Sequence, residues 1–227
     1  MEQNKTSKYF KYAIGEIVLV VIGILIALQI NNWNENRRER FIEQKILQAI
    51  NNDIKTDISA IKVMLDNESD IVASNRELIS ILKDSSSVYK PEYQSKFAQI
   101  NRYDIFFPQK MGYETLKSKG LEIIQNDSLK SQIVSLYDFQ FGTTTEMMDL
   151  KKQMFLDSNP IFNTFLETLD DGSRVPNNFN AIKNSAVFLN HLTHITAEKS
   201  NFLKYSNLVL GAMEETSAHI EKELNEW

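Results

Sequence analysis

The chain has no cysteine, and its 227 residues include only four prolines and seven glycines. Without cysteine there is no disulfide framework, no thiolate metal site, no thiol nucleophile and no lipidated cysteine anchor. A basic excess is also missing. Setting aside the first thirty residues, with their three Lys and two Glu, 22 basic residues face 28 acidic ones. That balance disfavours a nucleic-acid partner. No phosphate loop of the G-x-x-x-x-G-K type, no G-x-S-x-G elbow and no H-E-x-x-H pair occurs, so no enzymatic activity and no cofactor is expected. A triad assembled from scattered Ser, His and Asp stays open.

Against this scarcity stands one long apolar run, Ala13 to Ile30, interrupted by a single carboxylate, Glu16. At the helical rise of about 1.5 Å per residue it covers roughly 27 Å, close to the ~30 Å hydrocarbon core of a bilayer. Lys5, Lys8 and Lys11 precede it as in a signal peptide, but the exit Ala27-Leu28-Gln29-Ile30-Asn31-Asn32 lacks a small-x-small cleavage pattern, so the helix is expected to be retained. Tyr9 and Tyr12 before the run and Trp33 after it stand where aromatic belts meet headgroups. The lipid bilayer is thus the first expected partner. Basic residues flank both ends, Lys5, Lys8 and Lys11 against Arg37, Arg38, Arg40 and Lys45. A short lysine-bearing tail held in the cytoplasm would place the rest on the periplasmic side of a bacterial inner membrane.

No second apolar run of comparable length follows, so residues 31–227 read as one soluble domain after a 1–12 tail and a 13–30 span. Between Gly23 and Pro91 there is neither glycine nor proline, and Phe41, Ile42, Ile46, Ile50, Ile54, Ile58, Ile61, Leu65, Val72, Ile79 and Leu82 keep helical spacing. The spacing predicts a long helix over 31–84, either continuous or broken near Asp66 to Ser69. A second helix is expected over 128–156, with Gly142 as its weak point, and a third over 185–227 that pairs antiparallel with the first. Short helical insertions are expected over 91–127 and 160–170. Asn159-Pro160 would cap the latter and Asp170-Asp171-Gly172 would end it. Alternating apolar runs are missing, so no strand is expected. The fold class is all-α, an elongated antiparallel bundle carried by one membrane helix.

Tyr12-Ala13-Ile14-Gly15-Glu16-Ile17 and the stretch from Gly23 through Asn31-Asn32-Trp33-Asn34-Glu35 resemble the signature of an uncharacterised family. Its members are small single-span bacterial membrane proteins with helical soluble parts and a domain of unknown function. A shorter similarity is Tyr113-Glu114-Thr115-Leu116-Lys117-Ser118-Lys119-Gly120. The resemblance implies a membrane location and a helical domain, and it carries no activity.

On a helical wheel with Glu16 at 0°, Gly23 falls at about −20°, Ala27 at about +20° and Asn34 near 0°. Gly23-x-x-x-Ala27 is a small-x-x-x-small pattern that lets membrane helices approach closely, and Glu16 on the same stripe would face a neighbouring chain. Glu16 also lies near enough to the boundary to reach the interface or a lysine, and an ion path through an oligomer is a further reading. His191 and His194 stand at i and i+3 with Glu198 at i+7 from the first, within about 60° of one helix face. They form a weak candidate ligand set or simply a polar face. The aromatic segment Phe97, Tyr103, Phe106, Phe107, Tyr113 either lines a pocket or plugs the crossing of a connector over the bundle. The expected function is association, as a homo-oligomer or an accessory subunit with another membrane protein. Alternatives are a transport or ion-conducting subunit using Glu16, and a ligand-sensing bundle that signals through a separate partner.

Overall fold

The computed structural model describes residues 3–226, with side chains from Ile14 onward. The first helix, α1 (Gln3–Lys83), is continuous, without a break at Asp66 to Ser69, and at 81 residues reaches ~120 Å. From Ile14 to Phe41 every residue is exposed, and packing begins at Ile42 rather than at residue 31. Phe41, expected to face inward, is 56% exposed, with the Lys45 ammonium 4.4 Å from its ring centre. Beyond it, Ile46, Leu47, Ile50, Ile54, Ile61, Leu65, Val72, Leu78 and Leu82 line the buried face. The helix stops where Asp84 accepts the Ser86 N–H and Ser87 Oγ donates to the Ile81 carbonyl.

The last long helix, α7 (Ala186–Asn225), starts on Ser185, whose hydroxyl oxygen accepts the Phe188 N–H. It lies antiparallel to α1. Lys55 pairs with Glu221 at 2.6 Å, Lys62 with Glu214 at 2.7 Å, and Arg76 donates to Ser200 at 3.0 Å. The pairs advance by seven and then fourteen residues on both helices, the register of a coiled-coil seam. Phe188, Leu192, Ile195, Phe202, Val209, Met213 and Ile220 are buried along it.

The third long element differs from expectation. It comprises α4 (Asp127–Val134), a π-helical turn over Ser135–Gln140, and α5 (Phe141–Phe165), so the irregularity precedes Gly142 and the helix runs beyond 156 through Pro160. Asn159 does not cap a new helix, because its side-chain carbonyl accepts the Asn101 amide at 2.9 Å. Pro160 is tolerated because it lies on the exposed face, where the carbonyl it leaves free is open to water. Asp170-Asp171-Gly172 is likewise no helix exit. It is the turn of a small hairpin, β1 (Leu166–Thr168) against β2 (Arg174–Pro176), with Gly172 at φ +78°. Asp-Gly is itself a hairpin-turn pair, and Arg174 ties the hairpin down by reaching from β2 to the side-chain carbonyls of Asn101, at 3.2 Å, and Asn163. A short α6 (Phe179–Lys183) links the hairpin to α7.

The connector over 91–126 includes α2 (Gln94–Gln99) and α3 (Met111–Lys119), with an extended stretch between them. It descends along α1 on a ladder of side chains. Asn75 donates to the Ile100 carbonyl, and Glu68, Asp57, Asp53 and Glu43 accept the backbone N–H groups of Asp104, Gln109, Gly112 and Gln125. Each bond satisfies a backbone group that the extended stretch or a helix start would otherwise leave unpaired. Gly112 marks the closest approach, since a Cβ there would sit 2.6 Å from the Ile50 backbone nitrogen. Phe97, Phe106 and Tyr113 are buried plugs, whereas Phe107 is 70% exposed.

The interior divides into two apolar cores. One joins Ile46 to Leu65 of α1 with Leu129, Ile133, Phe202, Val209, Met213 and Ile220. The other joins Leu78 and Leu82 with Phe97, Phe162, Phe188, Leu192 and Ile195. Glu68, Lys151 and Lys199 lie in sequence between the residues of these cores on α1, α5 and α7, as a buried charged layer.

Candidate functional site

Glu68 occupies a core step of α1 between Leu65 and Val72 and is fully buried. The Lys151 ammonium donates to Glu68 Oε1 at 2.7 Å and to the Asp104 carbonyl at 3.2 Å, and sits 3.8 Å from the Phe202 ring centre. The Lys199 ammonium donates to Glu68 Oε2 at 3.2 Å and to the Arg102 carbonyl. Glu68 Oε1 also accepts the Asp104 N–H. Both lysines are at least nine-tenths buried, and that desolvation holds their ammonium groups below the usual lysine range against the pull of Glu68. Asp104, whose negative charge also acts on both lysines, is half-buried and accepts the Asn67 amide at 2.6 Å.

Beside this layer lies a cavity of about 260 Å³ between α5, α7 and the connector. Met147, Leu150, Met154, Phe155, Ile195 and Phe202 give it apolar walls. Lys151 and Lys199 stand in its charged side, and Asn101, Tyr103, Ser158, His194 and Glu198 complete it. A half-open apolar cleft with a few convergent polar groups and perturbed lysines is a common form of small-molecule site.

His194 and Glu198 line this cavity, but His191 does not join them. Its Nε2 is 3.0 Å from Ser158 Oγ, its ring packs on Phe162 at 5.3 Å, and burial with the nearby His194 lowers its basicity. Among the described residues, no group of three or more His, Asp or Glu is placed to hold a metal ion. The membrane-stripe residues Glu16, Gly23, Ala27 and Asn34 are all exposed on the uninterrupted α1, and nothing comes within 4 Å of a Cβ built on Gly23. Trp33 is 64% exposed, with the Arg37 guanidinium 5.8 Å from its ring. The side chains of Tyr9 and Tyr12 lie outside the described residues.

A second polar cluster sits nearer the anchor. Tyr113 donates to Asp138 at 2.8 Å and stacks on Tyr137 at 4.5 Å, both hydroxyls being pushed up by burial. Asp57, which accepts the Gln109 N–H, has its carboxyl pushed up to about 6 by burial, with Asp53 adding like charge.

A model for a family of unknown function (DUF6090) matches residues 16–200. The chain belongs to this family. The DUF6090 match takes in Glu16, Gly23, Ala27, the whole connector, Glu68, Lys151 and Lys199. No curated protein and no solved structure matches the chain.

Beyond His194 and Glu198, the charged layer beside the cavity carries a sequence signal of its own. Lys151 interrupts the Met148 to Phe155 rhythm and Lys199 the Ile195 to Phe202 rhythm, each at a step where a core residue falls due, as Glu68 does between Leu65 and Val72.

Proposed function

We propose that this protein is a single-span membrane protein whose helical bundle is held off the bilayer by α1 and which works by association, without catalysis of its own. One observation carries the reading: the 18-residue apolar window of α1, with mean hydropathy 2.3, has none of its residues buried by the rest of the chain. Apolar area costs about 25 cal/mol per Å² when left in water, so such a segment needs a bilayer or another protein to cover it. The helix continues without a break from that segment to the charged layer, roughly 57 Å beyond Ile30 at the α-helical rise. A rigid rod of this kind both positions the bundle and couples it to whatever packs against the anchor.

The finer parts of the proposal are a bacterial inner-membrane location, a periplasmic bundle, and packing of the Glu16, Gly23, Ala27, Asn34 stripe against a second membrane helix, from another copy of this chain or an accessory partner. The absence of cysteine makes the test clean. Ala27→Cys in native membranes should form an oxidative cross-link, whereas Leu25→Cys, on the opposite helix face, should not. Adding Gly23→Leu should remove the Ala27→Cys product. Equal cross-linking of the two cysteines would overturn the stripe as the packing face, and no cross-link of Ala27→Cys together with no partner retained by chemical cross-linking of the unmodified chain would overturn the association reading.

A further inference from the structure

We propose that the cavity between α5, α7 and the connector is a binding site for a small monoanionic amphiphile, an apolar ring or short chain carrying one carboxylate that docks on Lys199. The inference is independent of how the anchor associates.

The charge count of the buried layer points to the sign of the ligand. Two ammonium groups, on Lys151 and Lys199, share the single fully buried carboxylate of Glu68. Asp104 contributes its backbone N–H and carbonyl to this layer, and its half-buried carboxylate, hydrogen-bonded to Asn67, adds negative charge to both lysines from beyond ion-pair contact. Two ammonium groups thus share one directly bonded carboxylate, and a bound carboxylate would supply a second close counter-charge in a setting where unmet buried charge is costly.

The hydrogen-bond inventory points to the residue. An ammonium has three N–H donors. Lys151 uses its group on Glu68, the Asp104 carbonyl and the face of Phe202. Lys199 uses two, on Glu68 and the Arg102 carbonyl, and keeps one for the cavity it lines. It is also the lysine with the longer Glu68 contact, 3.2 Å against 2.7 Å.

The walls point to the rest of the ligand. Met147, Met154, Phe155, Ile195 and Phe202 favour an apolar body, and two methionines adapt to its outline. About 260 Å³ corresponds to roughly eight or nine water-sized volumes, enough for one ring and a short arm. Glu198 in the wall is the competing carboxylate, and a cationic ligand would read it instead.

The test uses the full chain in lipid nanodiscs with 13C-methyl methionine, titrated at neutral pH with 3-phenylpropionate, 3-phenylpropanol and 3-phenylpropylammonium. The methyl signals of Met147 and Met154 report occupancy of the cavity regardless of how much probe enters the lipid, while Met64 and Met213, buried in the core but not lining the cavity, report the fold. The carboxylate should shift Met147 and Met154 saturably, with the alcohol roughly tenfold weaker, the value of one charge-assisted hydrogen bond, and the ammonium weaker still. Lys199→Met, which leaves Lys151 paired with Glu68, should equalise carboxylate and alcohol while Met64 and Met213 stay in place. An alcohol equal to the carboxylate on the unmodified chain, a preference for the ammonium, or no shift of Met147 and Met154 would each overturn the proposal.

Discussion

Glu68 and Lys199 lie 131 residues apart in the chain and 3.2 Å apart in the fold, where they tie α1 to α7 between two apolar cores. Lys151 approaches the same carboxylate from α5, so one buried glutamate joins three long elements. Glu68→Gln leaves two buried ammonium groups facing a neutral amide. Loss of one partner from a buried charge set costs about 3 to 5 kcal/mol, and thermal unfolding of the bundle should show a drop of that order. Replacing all three, as Glu68→Leu with Lys151→Met and Lys199→Met, should recover most of it, because an apolar layer no longer carries the desolvation cost. If the triple variant is as unstable as Glu68→Gln, the layer contributes more than charge balance.

Gly112 sets how closely α3 crosses α1. A methyl group there would press on the Ile50 and Ala49 backbone at 2.6 and 2.9 Å, and backbone cannot rotate away. Gly112→Ala should therefore destabilise the fold by roughly 1 to 3 kcal/mol, the usual cost of overpacking. It should also weaken the hydrogen bond by which Asp53 caps the start of α3. Faster amide exchange at Gly112 with little change in α7 would be the signature.

Asp57 gives the bundle a pH dependence of definite sign. Its carboxyl is raised to about 6 by burial, so the folded chain holds a proton there that the unfolded chain, titrating near 3.8, has released. This contribution to stability is full below about pH 4, falls as pH rises toward 6, and stays lost above that. Asp57→Asn keeps an oxygen to accept the Gln109 N–H and removes the charge. The variant should lose this part of the pH 4 to 6 slope and be more stable than the unmodified chain at neutral pH. A steeper slope in the variant would contradict the assignment.

The long helices were legible because Gly and Pro are so scarce and the apolar steps so regular, and the all-α class and the packing of the first long helix on the last follow from that pattern. The region from Asn159 to Gly172 was not. Asp171-Gly172 is a hairpin-turn pair in its own right, masked because the flanking strands are only three residues long and too short to show an alternating pattern. Asn-Pro by contrast carries a strong local signal for a helix start, yet Asn159 is engaged by Asn101, 58 positions away and outside any local window. The connector ladder was hidden for a similar reason. Glu43, Asp53 and Asp57 look like solvated helix charges until the backbone N–H groups they accept from residues 109 to 125 are known. In the candidate site, His194 and Glu198 share a helix face by their spacing, while Lys151 and Lys199, which give the cavity its charge, show in the sequence only as charged steps in an apolar rhythm.

A membrane anchor requires the apolar segment of α1 to lie in a bilayer. With no native cysteine, single cysteines at Val18, Ile22, Leu25, Asn36 and Ser59 can be probed in intact membranes with a soluble maleimide. The first three should resist labelling until detergent is added, while Asn36→Cys and Ser59→Cys, both exposed beyond the segment, should react readily when the bundle side is open to the reagent. Labelling of Ile22→Cys as fast as Ser59→Cys without detergent would contradict the membrane anchor.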